Sequence, residues 1–236
     1  MISLALALAG LATTGASRNV LELGSGPGAW SYSYGGSTSG KISSSKEAKL
    51  LTYSGDDNEY SGWTLHLPQS LDLSAIRVGG ALKLRVQGDR GGEEIFVGLM
   101  DDESDGPGRK IQVRVPLKNY APLDKNWKSV TIPLADFEDH GSWWDDKAKQ
   151  EISGRFDWTK VAEVRISSNR GANRARSDSA GIFKVAIDEW TIADTSGVWN
   201  AAAYWKHFKS DAPDDTLETF GGENPQSRWF LAADDA

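Results

Sequence analysis

WKSVTIPLADF, residues 127–137, is the stretch whose parity decides the fold class. Val130 and Ile132 alternate with Ser129, Thr131 and Pro133, the two-residue period of a strand with one buried face. Pro133 has no backbone donor, so the strand must end there or run along a sheet edge. Leu134 and Phe137 close a short turn in which Asp136 can cap the backbone. Working outward, the same period predicts strands over 42–54, 60–67, 81–88, 94–101, 110–117, 127–133, 161–167 and 183–192. Gly-, Ser- and Asp-rich turns separate them. Short strands, little helical periodicity and 25 glycines predict an all-β jelly-roll β-sandwich.

The ends read differently. Residues 1–17, MISLALALAGLATTGAS, carry an apolar run too short to span a bilayer, followed by small residues. They read as a signal peptide lacking its positive n-region, and the chain is expected to be secreted, periplasmic or on the cell surface. Residues 18–195 are expected to form the sandwich. In residues 198–210, VWNAAAYWKHFKS, Val198, Ala201, Ala202, Trp205 and Phe208 recur at helical spacing, which predicts a short amphipathic helix. The following acidic tail has Pro213, Gly221, Gly222 and Pro225 and no period. It holds seven acids against Arg228, so nearly all of the net charge of −7 belongs to it. The body is close to neutral, which argues against nucleic-acid binding. The chain has no cysteine, and a core of this size needs no disulfide.

Three phrases, NWKSVTIPLADF, FDWTKVAEVRI and FKVAIDEWTI, resemble the last third of secreted jelly-roll carbohydrate-binding modules of the galactose-binding-like, family-eleven-like kind. LELGSG (21–26), YSGWTLHLPQSLDLS (60–74) and ALKLRVQGDRGGEEIFVGLMD (81–101) also fit, so the resemblance runs from about Leu21 to Ala193. It implies non-catalytic binding of a polysaccharide. It also implies a structural calcium held by an acid near the first strand and the acid of the last, which here are Glu22 and Asp188. The alternative for both is a carboxylate in a turn or salt bridge. Trp30, Trp127, Trp158 and Trp190 match framework positions of the core or rim.

Parity proposes the site. Leu82, Leu84 and Val86 share one face of their strand and leave Arg85 and Gln87 on the other. By the same rule Gln112, Arg114 and Arg165 point outward. If these strands are neighbours, the five side chains line one polar surface able to hydrogen-bond sugar hydroxyls or uronate carboxylates. The bland alternative is a solvated outer face. A pyranose also offers an apolar face that stacks on aromatic rings. Tyr60 and Trp63 in one strand, Tyr120 at a strand exit, and Trp143 and Trp144 in a polar loop are the candidate platform. Trp143 and Trp144 could instead plug the sandwich end. Asp101, ending its strand, is a candidate hydroxyl acceptor.

Catalytic signatures are absent from the sequence. His66, His140 and His207 are scattered, and there is no nucleophile elbow or phosphate loop. Two rivals to pure binding remain. A lyase or hydrolase would use Arg85, Arg114 and Arg165 on a uronate with a Tyr or His base. A surface or filament protein would assemble with a protein partner through residues 198–236.

Overall fold

The computed structural model describes residues 18–22, 29–44, 49–102, 110–145 and 147–194. The expected signal peptide, the helix over 198–210 and the acidic tail lie outside these residues. In chain order the strands are β1 (Arg18–Glu22), β2 (Trp30–Tyr34), β3 (Ser39–Ser44), β4 (Lys49–Asp56), β5 (Ser61–Leu71), β6 (Gly80–Gly88) and β7 (Phe96–Asp101). They continue with β8 (Gln112–Pro116), β9 (Lys128–Pro133), β10 (His140–Asp145), β11 (Gln150–Arg155), β12 (Val161–Ser168) and β13 (Ile182–Asp194).

Two antiparallel sheets face each other. One has six strands in the order β3-β4-β13-β6-β9, with β1 paired to the second half of β13. The other has seven, ordered β11-β10-β8-β7-β12-β5-β2. The opening stretch is β9, and it is the outermost strand of its sheet, where Pro133 lies opposite Ala81 without breaking a ladder. Its Val130 and Ile132 are buried, and Leu134 and Phe137 continue the core in the turn that follows.

Each strand delivers alternate side chains to the core. Leu82, Leu84 and Val86 of β6 and Val185 and Ile187 of β13 meet Leu65, Val97, Leu99, Val113, Val164 and Ile166 of the opposite sheet. Burying each such side chain contributes about 1.5–3 kcal/mol. Tyr53 packs edge-on against Phe183 at 5.7 Å, and its hydroxyl reaches Ser61 at 3.2 Å. Burial pushes that phenol up to about 12.

The structure departs from the expected strand plan at its start, where β1 precedes the first expected strand, and in three further places. The single strand expected over 42–54 is the hairpin β3–β4, paired from Ser44–Lys49 to Ser39–Ser54. The polar stretch HGSWWD, expected as part of a loop, is β10, and with β11 it forms a second hairpin on one flank of the seven-stranded sheet. The segment WSYSY, assigned no element, is the edge strand β2.

Candidate functional site

The outward face of the seven-stranded sheet carries the site. Cross-strand register sets its side chains in three rows. The first runs Trp30, His66, Glu163, Met100, Gln112 and Ser142. The second runs Tyr32, Thr64, Arg165, Gly98 and Arg114. The third begins with Tyr34, Gly62 and Ser167. Gly62 has no side chain because the Tyr34 ring lies across it, where a Cβ would collide with the phenol.

Aromatic rings form one side of this face. Trp30 and Tyr32 have ring centroids 5.4 Å apart, Tyr32 and Tyr34 6.5 Å, and Tyr34 stacks on Tyr60 at 5.8 Å. Trp30 is 52% exposed and Tyr60 40%. The four rings make a continuous, partly open aromatic band. Across the sheet, Trp144 stands on β10 at 60% exposure.

Between the aromatic flanks the floor is polar and cross-linked by hydrogen bonds. Arg165 donates from Nε to Thr64 Oγ1 (3.0 Å), from Nη1 to Gln112 Oε1 (2.6 Å) and from Nη2 to Tyr32 Oη (3.2 Å). Its guanidinium also lies 5.0 Å from the centroid of the Tyr34 ring. Glu163, 1% exposed, accepts from Lys110 Nζ at 2.7 Å and Tyr32 Oη at 3.2 Å, with His66 Nδ1 at 3.3 Å. Desolvation works against the Lys110 ammonium, but Glu163 outweighs it and raises the amine above its ordinary value. Arg114 packs over Phe96 at 4.3 Å and donates to Tyr60 Oη at 3.3 Å. Burial pushes the Tyr60 phenol up, and the Arg114 charge with hydrogen bonds from its neighbours brings it below the usual value. Burial is the main force on Tyr34 and drives its phenol far above the ordinary range.

The structure brings together Tyr60, Gln112, Arg114, Arg165 and Trp144 of the expected site. It separates the rest. Arg85 and Gln87 stand on β6, in the other sheet, and share no surface with the three. Arg85 is ion-paired with Asp188 (3.2 Å) and Glu189 (3.1 Å) and lies over Trp127, and Gln87 donates to the Lys125 carbonyl at 2.6 Å. Trp63 is 1% exposed, because its odd parity in β5 turns it into the core over Gly40. Asp101 is fully buried and accepts the backbone N–H groups of Ile111 (2.7 Å) and Asp157 (3.0 Å), a structural role. Tyr120 packs against the core and donates to Asp136 at 2.9 Å, away from the face. Trp143 and Trp144 split by parity, so Trp143 packs on the core and only Trp144 faces outward.

Sequence reasoning missed Trp30, Tyr32, Tyr34, His66, Lys110 and Glu163. Trp30, expected as framework, is the most exposed ring of the band, whereas Trp158 and Trp190 are buried as expected. The signal for the first three was present in WSYSY, which places an aromatic at every second position.

The profile of Carbohydrate binding domain 30 matches residues 22–194, which is most of the chain and all of the site. The chain belongs to this carbohydrate-binding family. Among solved structures it is similar to a family 30 carbohydrate-binding module of a cellulosomal cellulase from Clostridium thermocellum. The two are 20% identical with a TM-score of 0.52 over 75% of this chain and 96% of that one. A second family 30 module gives 20% identity and a TM-score of 0.52 over 81% and 89%. A family 11 module from Clostridium thermocellum, in complex with a mixed-linked β-1,3-1,4 tetrasaccharide, gives 18% identity and a TM-score of 0.49 over 75% and 94%. No curated protein matches the chain. The module is thus a jelly-roll that binds carbohydrate, and the aromatic band with its polar floor is its candidate binding face. Among the described residues no helix is long and apolar enough to cross a membrane.

Proposed function

We propose that the module binds a neutral β-glucan chain along Trp30, Tyr32, Tyr34 and Tyr60, without transforming it. The observation that carries this reading is the band itself. Rings repeated at every second residue of one edge strand give successive apolar surfaces for successive pyranose faces. Gln112, Arg114 and Ser142 beside them offer donors and acceptors to ring hydroxyls. A neutral chain is favoured over a uronate because Lys110 and Arg165, the cations beside the Tyr32 ring, already have partners. Lys110 is matched by Glu163, and Arg165 spends a bond from each of its three nitrogens inside the protein. Binding without catalysis is favoured because Glu163, the carboxylate closest to the band's centre, is buried and surrounded by donors, out of reach of a glycosidic oxygen. The relatives from a cellulosomal cellulase are consistent with a glucan ligand.

Isothermal titration against soluble β-glucan, xylan and polyuronate fragments tests the reading. Heat with the β-glucan and none with the polyuronate is expected. Retention of polyuronate alone, or release of new sugar ends on incubation, overturns it.

Secretion through residues 1–17, and a protein partner for residues 198–236, belong to the same proposal and fit a module that works beside a polysaccharide. A structural calcium at Glu22 and Asp188 is also proposed. The Glu22 side chain lies outside the described residues, and Asp188 already faces Arg85 at 3.2 Å. Among the described residues no three His, Cys, Asp or Glu converge. The calcium site therefore requires Arg85 to turn away. An unfolding midpoint that is identical in calcium and in chelator removes it.

A further inference from the structure

We infer that Glu163 is the positioning residue of the aromatic band, aligning three of its rings from beneath while touching no sugar. This rests on the band being the binding face. An outward-facing glutamate on a sheet is ordinarily solvated, yet Glu163 is 1% exposed on β12, an inner strand of the seven-stranded sheet. Its two oxygens lead to three separate rings. Tyr32 is held directly, since its hydroxyl donates to Oε2 at 3.2 Å and accepts from Arg165 Nη2 at 3.2 Å. Trp30 is held through His66, whose Nδ1 is 3.3 Å from Oε1 and whose ring lies 5.0 Å from the indole. Tyr34 is held through Arg165, whose guanidinium lies 3.8 Å from Oε2 and 5.0 Å from the phenol centroid. Lys110 Nζ, 2.7 Å from Oε1, completes the charge balance.

The chemistry explains why one carboxylate can do this. A buried carboxylate is tolerated only where donors surround it, and every donor it recruits is fixed in place. Here the donors are the rims and supports of the rings. The rings thus meet the ligand already aligned, and the entropy of ordering them is spent in folding rather than in binding. Removing the charge leaves Lys110 and Arg165 without their shared counter-charge and frees Tyr32, His66 and Arg165 to take other rotamers.

The test compares Glu163→Gln, Tyr32→Phe and their combination in the full chain. Affinity for a soluble β-glucan fragment is read by titration, and near-ultraviolet circular dichroism is read without ligand. Glu163→Gln is expected to weaken binding about tenfold and Tyr32→Phe, which keeps the stacking ring, about threefold. The double variant should bind no worse than Glu163→Gln, because both act through one link. The ligand-free spectrum should change in Glu163→Gln, and the change should shrink in a Trp30→Phe background, a signature that general loosening of the sandwich would not give. Wild-type affinity and an unchanged spectrum in a folded Glu163→Gln protein overturn the inference. So does additive loss in the double variant. If Glu163→Gln does not fold, Tyr32→Phe decides alone, and wild-type affinity there overturns the inference. If the wild-type chain binds no glucan, the proposed ligand fails and the spectral comparison still decides the role of Glu163.

Discussion

The two outer faces of this sandwich obey the same parity and look nothing alike. On the six-stranded sheet, outward positions of β6 and β13 carry Arg85, Gln87 and Asp188, joined into local ion pairs and a bond to a nearby carbonyl. On the seven-stranded sheet the outward positions of β2 carry aromatics, and those of β5, β12 and β8 supply the polar floor beside them. An outer face becomes a binding surface when its polar groups satisfy each other beneath rings that remain open, and a solvated face when they only pair along the surface. The arginines show the contrast. Arg165, with 11% of its side chain exposed, braces a ring, whereas Arg85, 34% exposed, pairs with two acids at the surface.

The largest effect should come from the inward side of the binding sheet. Trp63→Ala removes a core indole and is expected to reduce stability by about 3–5 kcal/mol in chemical denaturation. A loss below about 1 kcal/mol would mean that Trp63 is not seated between the sheets. Trp30→Ala should leave stability nearly unchanged and weaken glucan binding by about 1.4 kcal/mol or more, tenfold in Kd. Arg85→Ala and Gln87→Ala, on the other face, should bind as wild type. Equal losses from Trp30→Ala and Arg85→Ala would erase the distinction between the faces. Trp144→Ala tests how far the surface extends toward β10. A loss of about 0.5–1 kcal/mol is expected for a ring at the rim, and full wild-type affinity would confine the site to the Trp30 side.

Much of this was legible because strand parity is a local property. Val130, Ile132, Leu82, Leu84, Val164 and Ile166 all point where alternation places them, and Gln112, Arg114 and Arg165 all point outward together. Which sheet a strand joins is not local. Arg85 and Arg165 have the same parity signature, and only the crossover that puts β6 beside β13 and β12 beside β5 assigns them to opposite faces. The band was hidden for another reason. In WSYSY the alternating aromatics suggest a core face, but β2 is an edge strand whose serines are exposed, so its rings are free to be the surface. The hairpin β10–β11 was obscured by its composition, since Gly, Ser and Asp dominate a strand held in register to β8 by Ser142 and Gln112.

The smallest expected effect lies where the two sheets meet. Asp56, buried at the end of β4, accepts the N–H groups of Ser37 and Asn58, each at 2.9 Å, and so fixes the turn that carries the chain from β2 to β3. These bonds hold its carboxyl below the ordinary value of 3.8, with the Ser37 N–H the largest cause. A carboxyl depressed in the folded state binds its proton more readily when unfolded, so its contribution is complete above the unfolded value and fades as pH falls through the folded one. Asp56→Asn should therefore unfold at a lower temperature than wild type near neutral pH, and the gap should close as both are titrated below pH 3.8. A gap that stays constant across that range would mean that Asp56 contributes shape rather than charge. The bridge between the binding sheet and its partner would then be steric, set by the turn glycines Gly35 and Gly36 at φ 82° and 53°.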